Sequence, residues 1–522
     1  MNTGLRRDTA VVTLCTLVSR ISGFGRVLAT AAVLGSGLLG DVYQTANLLP
    51  NLLFELVAAG VLQAVLLPTF VEARRTGGRQ FLGDAVQAAN GVTLLALSGI
   101  AVLGMAVSPL LTRLMVAADP SASVAADKLD VMVPMVLVFV PQLVCYGLAT
   151  VVSAALNARG RFVAAALAPA VNNIIVIAAL LVFRAMRDGA PADLDLTPGQ
   201  FAVLAGGTTL GVLAYALTPA IVLRSDGVRW WPRWRPAHPA VSAMRASFGW
   251  ATLSVVGTLA PTAVALALGN GAPGGVAVFV YAFAFYVLPH ALVAVPIATT
   301  LAPRVADLWQ VGDLVPLRRA IDASMRLMVP LLVLGGAGMV ALAWPVATAA
   351  AFGQTASQGL APIAHALAVF GPGLLGYGVA FVMTRVLFAI GDVRRAALLM
   401  IGSAAVGVAW MAVTAAVLDR DERATALAMG YGAAQTVAAV LLTMRVHRMT
   451  GSMGGRVAGR VLAESLLAGA ASVAAMLAVV AQFGPGRAAA AEALLLGGVV
   501  GVAVFAAVMA LCRRGGARSS AT

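Results

Sequence analysis

The 522-residue chain is poor in charged residues, and only one of its positive charges, Lys128, is a lysine. Charged residues make up 11% of the chain, against about 25% in soluble domains, and 61% of the residues are hydrophobic. This composition excludes a soluble globular protein. The net charge of +14 does not indicate nucleic-acid binding, because the basic residues lie in short clusters between apolar runs. We therefore predict a polytopic membrane protein that binds no nucleic acid.

Cysteine and histidine are also scarce. The three cysteines are scattered, and none of the four histidines has the spacing of a metal ligand pair. The sequence therefore supports neither a disulfide framework nor a zinc site, and we predict no metal and no cofactor. The first apolar run carries internal arginines and lacks a cleavage site with the usual flanks, so we expect it to be retained as a helix.

Apolar runs long enough to cross a hydrocarbon core of about 30 Å occur along the whole chain. We count fourteen, at residues 9–36, 42–72, 84–108, 131–156, 163–183, 201–223, 246–269, 276–302, 325–348, 362–389, 396–418, 424–444, 461–482 and 489–511. The predicted fold is all-α, with about 14 transmembrane helices.

The basic residues predict the orientation of these helices. Of 35 basic residues, 25 lie on the side of the N-terminus, seven lie on the opposite side, including Lys128, and three lie within spans. The positive-inside rule then places both termini in the cytoplasm. The longest cytoplasmic loop contains Trp230, Trp231 and Trp234 beside arginines, which either anchor it in the headgroup layer or bind an anionic lipid.

A weak internal repeat divides the chain. Residues 43–68 resemble residues 281–303, because both have a tyrosine, a Leu-Pro pair and an apolar run that ends in proline. The repeat predicts two six-helix lobes around a central cavity, as in alternating-access transporters. We assign the N-lobe to 1–224, an interfacial loop to 225–245, the C-lobe to 246–446, two extra helices to 447–512 and a cytoplasmic tail to 513–522.

Five segments carry a family resemblance. They are SRISGFGR at 19–26, ANLLPNLL at 46–53, LNARGRFVAAALAPAVNN at 156–173, LPHALVAVPIATTLAP at 288–303 and RVLFAIGDVRR at 385–395. They resemble segments of the MurJ (MviN) lipid II flippases of the MOP exporter superfamily. The arginine-rich composition is typical of a high-GC actinobacterium.

The resemblance implies a transporter, and not an enzyme, of the bacterial cytoplasmic membrane. Such a flippase moves lipid II, the undecaprenyl-pyrophosphate glycopeptide of peptidoglycan biosynthesis, from the inner to the outer leaflet by alternating access. Lipid II and membrane lipids would be its partners. A coupling ion and cell-wall synthesis proteins are further partners that the resemblance leaves open.

Arg20 and Arg26 are the only charges between Thr9 and Gly40. An arginine at a bilayer centre costs about 2.5–3.5 kcal/mol, so we expect a use for both, and a guanidinium binds phosphate oxygens bidentately. Six residues rotate the two side chains about 240° apart on a helix. We therefore expect a kink or an unwound turn at Gly23 and Gly25 that lets both arginines point toward one cavity. The resemblance also assigns function to both positions. Alternatively, Arg26 extends to an interface or pairs with Asp41.

Five further residues are predicted to bind substrate. Asp41 matches an acidic family position, and it either closes a gate or caps its helix. Asn51 contacts substrate or a neighbouring helix. Glu55 faces the cavity, couples an ion or forms a structural ion pair. His290 faces the cavity or belongs to the core, and Arg385 contacts substrate or extends to the interface.

The sequence departs from the family pattern at Phe54, Ala284 and Val287, where many relatives have charged residues. These differences leave open whether the substrate is lipid II or another polyprenyl-linked glycan. A MATE-like exporter of the same superfamily is a second alternative, although organic-cation exporters require acidic cavities. A membrane glycosyltransferase would need paired carboxylates, and the candidates at 193–195 and 419–422 lie in outer acidic loops. A scaffold without transport would need no buried arginines.

Overall fold

A computed structural model describes residues 3–58, 62–188, 190–246, 250–358, 360–451 and 455–519. These residues are almost entirely helical and contain no strand, which confirms the predicted all-α class. The chain divides into two compact units. Unit 1 comprises Met1–Leu259 and Gly353–Thr355, and unit 2 comprises Ala260–Phe352 and Ala356–Thr522.

The described residues of the first half of the chain form ten α-helices, and a π-helical turn at Ala202–Gly206 joins the seventh to the eighth. They are α1 (Thr3–Leu34), α2 (Leu38–Ala58), α3 (Leu62–Val116), α4 (Ala122–Phe139), α5 (Gln142–Ala158), α6 (Phe162–Ala185), α7 (Pro198–Phe201), α8 (Gly207–Ser225), α9 (Pro239–Ala246) and α10 (Trp250–Gly269). Gly77 and Gly78 interrupt α3, and Gly78 has a φ of +64°, which favours glycine.

In the second half, the part of the chain that the structure describes forms nine α-helices, and a short 3-10 turn at Arg420–Glu422 precedes the seventh of them. They are α11 (Gly275–Val311), α12 (Leu314–Ala341), α13 (Ala343–Ala350), α14 (Gln354–Gln358), α15 (Ala361–Ala389), α16 (Val393–Val417), α17 (Arg423–Thr450), α18 (Gly455–Val480) and α19 (Arg487–Ser519).

The number of spans differs by one from our prediction. Within the described residues, 13 helices are long and apolar enough to cross a membrane. The remaining predicted span, 42–72, is divided between α2 and the start of α3, and residues 59–61 lie outside the described part of the chain. α2 is a 21-residue helix that carries both Asp41 and Glu55. These two acids and three amides, Gln44, Asn47 and Asn51, lower its mean hydropathy, and α2 is not among the 13.

Three helix pairs recur in the two units. In unit 1, α3 packs against α5, α6 packs against α8, and α5 packs against α8. In unit 2, α12 packs against α15, α16 packs against α17, and α15 packs against α17. In span numbers, these are pairs 3–4, 5–6 and 4–6, followed by pairs 9–10, 11–12 and 10–12. The packing of α1 on α6 in unit 1 has no comparable counterpart between α10 and α16 among the described residues, so the likeness of the two units is partial. The two last helices, α18 and α19, pack against each other.

Within unit 2, the backbones of α12 and α15 touch at two glycines. A Cβ atom on Gly336 would lie 2.5 Å from the carbonyl oxygen of Gly371. Because the atoms that it would meet all belong to the backbone, no side-chain rotation could relieve the clash. Small residues permit this close approach between membrane helices. We expect Gly336→Ala to lower the free energy of unfolding by about 1–3 kcal/mol, because the two backbones must separate. Thermal unfolding of the purified protein measures the loss.

Gly338, two residues further along α12, provides the matched control. A Cβ atom there would meet no heavy atom within 4 Å. Gly338→Ala should leave stability unchanged or raise it slightly, because alanine has the higher helix propensity. Equal destabilisation by the two variants would show that the backbone contact is not the cause.

Candidate functional site

The helix that carries the two predicted arginines is unbroken. α1 is one helix from Thr3 to Leu34, with no positive φ at Gly23 or Gly25, so the expected kink is wrong. Without a kink, the two arginines remain about 240° apart around the helix.

A polar contact joins α1 to α6 beside Gly23. The side-chain amide of Asn173, on α6, donates a 3.1 Å hydrogen bond to the hydroxyl of Ser22 on α1. A Cβ atom on Gly23 would lie 3.4 Å from the same amide nitrogen, which is a van der Waals contact and not a clash. The two helices are thus joined at this point while α1 stays continuous.

Arg26 is within electrostatic range of a tyrosine that belongs to a group of aromatic rings in unit 1. Its partly exposed guanidinium interacts electrostatically with Tyr146 on α5. The centroid of the Tyr146 ring lies 5.5 Å from that of Phe54 on α2 and 5.9 Å from that of Tyr215 on α8. We call Phe54, Tyr146 and Tyr215 the aromatic group. No spacing in the sequence indicates it, because its three members come from three different helices.

Arg20 lies on a more open stretch of α1, where Leu17 and Ile21 are also exposed. Among the described residues, neither Arg20 nor Arg26 forms a salt bridge with a carboxylate. The alternative in which Arg26 pairs with Asp41 therefore has no support in this structure. Asp41 is fully buried in the first turn of α2. The helix dipole stabilises a negative charge at this end of a helix.

The other two candidates on α2 differ in their surroundings. The Asn51 side-chain amide donates a 3.1 Å hydrogen bond to the carbonyl oxygen of Asn47, one turn earlier in the same helix. Glu55 is exposed in the last described turn and forms no ion pair with any described basic residue. Their contacts with substrate stay predictions.

In unit 2, the structure brings His290 and Arg385 together through one aromatic ring. His290, on α11, is 4% exposed, and its ring stacks on Tyr377 with centroids 3.9 Å apart. The His290 ring also meets Phe381 edge-on at 5.0 Å. The guanidinium carbon of Arg385 lies 5.4 Å from the centre of the Phe381 ring. The histidine is thus part of the aromatic packing of α11 and α15, whereas the arginine is exposed one turn after Phe381.

Comparison with models of known protein families identifies the family of the chain. The model of the lipid II flippase MurJ matches residues 30–494. The chain belongs to the MurJ lipid II flippase family. The matched region includes Asp41, Asn51, Glu55, His290 and Arg385, whereas Arg20 and Arg26 precede it.

Individual MurJ relatives are more distant. The chain is 26% identical over 409 residues to the lipid II flippase MurJ of Burkholderia cenocepacia. This alignment covers 76% of each of the two proteins. It is 27% identical over 375 residues to a probable lipid II flippase MurJ of Rhizobium meliloti, covering 71% of this chain and 68% of the relative. The chain is 30% identical over 302 residues to a probable lipid II flippase MurJ of Rhizobium tropici, and this match covers 54% of the relative's length.

Solved structures support the MurJ fold. A lipid II flippase MurJ in an inward closed conformation matches with a TM-score of 0.75 and 16% identity, over 97% of this chain and 99% of the other. An inward-facing MATE family transporter of the MOP superfamily matches with a TM-score of 0.61 and 14% identity, over 85% of this chain and 96% of the other. At these identities, the likeness concerns the fold alone.

Proposed function

We propose that this MurJ-family chain moves lipid II from the cytoplasmic to the outer leaflet of the bacterial cytoplasmic membrane by alternating access. One observation carries the proposal beyond family membership. Arg26 lies in the apolar stretch of α1 between Arg20 and Leu34, and its guanidinium has no carboxylate partner among the described residues. A charge at such a position is costly unless it meets an opposite charge. The pyrophosphate of lipid II supplies that charge.

The chemistry around Arg26 suits a lipid-linked pyrophosphate. The guanidinium donates two parallel hydrogen bonds to phosphate oxygens, and it stays protonated at any physiological pH. The aromatic group beside it offers an apolar surface to the first isoprene units of the same molecule. Arg20, six residues earlier, contacts the substrate from a different side of α1, because the helix is not kinked.

The other candidates complete the proposal. On α2, Asn51 and Glu55 lie one turn apart and contact the polar part of the substrate. In unit 2, Arg385 contacts the substrate from the cytoplasmic side. His290 packs against the ring of Phe381, which in turn contacts the guanidinium of Arg385. Asp41 acts at the outer end of α2. Both termini lie in the cytoplasm, as the excess of arginine on that side predicts.

The test is the position of lipid II in cells that depend on this chain. A bacterium depleted of its own lipid II flippase should recover growth when it expresses the chain. The fraction of lipid II accessible to an impermeant external probe should rise to the wild-type level. Recovery of total lipid II without a rise in the accessible fraction would instead indicate a role in synthesis.

A second candidate is a flippase for another polyprenyl-linked glycan. The observation that favours it is Phe54, which stands where many relatives have an arginine and packs on Tyr146. The same accessibility assay, applied to cells that make a different undecaprenyl-linked glycan, separates the two substrates. A MATE-like export of organic cations is disfavoured, because the arginines of α1 would repel a cation.

A further inference from the structure

A basic pocket lies in unit 1, away from the candidate residues described above. The loop 226–238, between α8 and α9, packs on α3 and borders a partly open pocket of about 420 Å³. Its lining includes Gln87, Arg224, Arg229, Trp230 and Arg233. We call it the loop pocket.

The loop pocket is preformed, because the loop is fixed to α3 through its backbone. The N–H group of Arg233 donates to the carbonyl oxygen of Gln87 at 3.0 Å. The side-chain amide of Asn90 donates to the carbonyl oxygen of Trp230 at 2.6 Å. A Cβ atom on Gly91 would lie 2.0 Å from the carbonyl oxygen of Arg233, so the glycine is required for this contact. A ligand would therefore find the pocket already shaped.

The charge of the loop pocket is positive and uncompensated. Within the described part of the chain, the side chains of Arg224, Arg229 and Arg233 have no ion pair, and no acidic residue lines the cavity. The two neighbouring acids are held by other arginines. Asp84 lies 3.4 Å from Arg235, and Asp226 lies 3.3 Å from Arg161. Such a pocket selects an anion, and arginine suits a phosphate.

Two buried polar atoms of the lining specify more than a charge. Gln87 is 2% exposed, and its Oε1 atom has no hydrogen-bond partner among the described residues. The same holds for Nε1 of Trp230. Leaving a buried polar group unsatisfied costs about 1–3 kcal/mol, so each indicates a missing partner. An amide oxygen requires a donor such as a hydroxyl group, and an indole N–H requires an oxygen acceptor.

The exposed tryptophans indicate a lipid as the source of this chemistry. Trp231 is 59% exposed and stacks on Trp230, with ring centroids 4.6 Å apart, and Trp234 is 61% exposed. Tryptophan is enriched in the headgroup layer of membranes. Arg224 lies in the last turn of α8, within the candidate span that ends at Ser225. The loop pocket is thus at the end of a span, at the depth of lipid phosphates.

We propose that the loop pocket binds an anionic phospholipid whose headgroup carries hydroxyl groups. The arginines bind the phosphodiester, the indole N–H of Trp230 donates to one of its oxygens, and Oε1 of Gln87 accepts from a headgroup hydroxyl. This site is separate from lipid II transport and does not depend on it.

Lipid retention by the purified full chain tests the proposal. The protein is reconstituted in phosphatidylcholine discs with phosphatidylglycerol, and the bound lipid is measured by native mass spectrometry. The double variant Arg229→Ala/Arg233→Ala should retain about 30-fold less phosphatidylglycerol, because each arginine near an anionic surface contributes a factor of about five. The variant Arg74→Ala/Arg75→Ala removes the same charge from exposed positions of α3 outside the pocket and should retain the wild-type amount.

Three comparisons complete the test. Equal loss in both double variants would overturn the pocket as the site, since net charge alone would then explain it. Displacement of phosphatidylglycerol by millimolar glycerol phosphate would overturn the lipid as the source of the ligand. Gln87→Met should remove the preference for phosphatidylglycerol over phosphatidic acid, which lacks the headgroup hydroxyls, and a retained preference would overturn the role of Gln87.

Discussion

Arg26→Ala is expected to abolish growth of a strain that depends on this chain as its lipid II flippase, without lowering the amount of protein in the membrane. Truncating one partner of a desolvated, hydrogen-bonded charge pair costs about 2–5 kcal/mol, which weakens binding about 30-fold or more. Arg26 forms no salt bridge within the described residues, so its loss removes no structural ion pair. Growth in liquid culture and externally accessible lipid II measure the effect.

Two companion variants make the result specific. Arg26→Lys keeps the charge but loses the bidentate geometry, so it should restore growth only in part. Arg113→Ala removes one exposed arginine from the last turn of α3 and should support full growth. If Arg26→Ala grows as well as Arg113→Ala, Arg26 is not a required ligand of the pyrophosphate.

The path of α1 shows where sequence reasoning stops. The length of the apolar run predicts the helix correctly, because it is a local property of the chain. The two glycines after Arg20 favour a break, but the structure continues there as one helix. Beside them, Asn173, which lies 151 residues after Ser22 on α6, donates a hydrogen bond to the Ser22 hydroxyl. Such a partner is not visible in the local sequence.

The surroundings of the candidate residues follow the same rule. The sequence identified Arg26 and His290 because a polar residue stands out in an apolar helix. It did not predict the rings of Tyr146 and Phe381 beside them, since an aromatic residue in an apolar run is not conspicuous. The internal repeat is a contrasting case. Its sequence signal is weak, yet three helix pairs recur in the two units, because packing tolerates extensive change of apolar residues.

From the sequence, Lys128, the only lysine of the chain, is predicted to be a charge of an outer loop. The structure shows it fully buried on α4, with its Nζ atom 2.9 Å from Oδ2 of Asp119. The other carboxylate oxygen accepts a 3.0 Å hydrogen bond from the N–H group of Ser121, the N-cap of the same helix. The pair thus joins the turn after α3 to the start of α4.

We expect Asp119→Asn to lower the free energy of unfolding by about 3–5 kcal/mol, because it leaves the buried ammonium of Lys128 without this carboxylate. Arg161→Ala provides the matched control. The Arg161 side chain, which pairs with Asp226, is 64% exposed, and such surface ion pairs contribute about 0–1 kcal/mol to stability. Thermal unfolding in detergent compares the two variants.

The double variant Asp119→Asn/Lys128→Met removes both charges and should be more stable than Asp119→Asn alone. If the two changes instead add, the ammonium is not what makes the loss of the carboxylate costly.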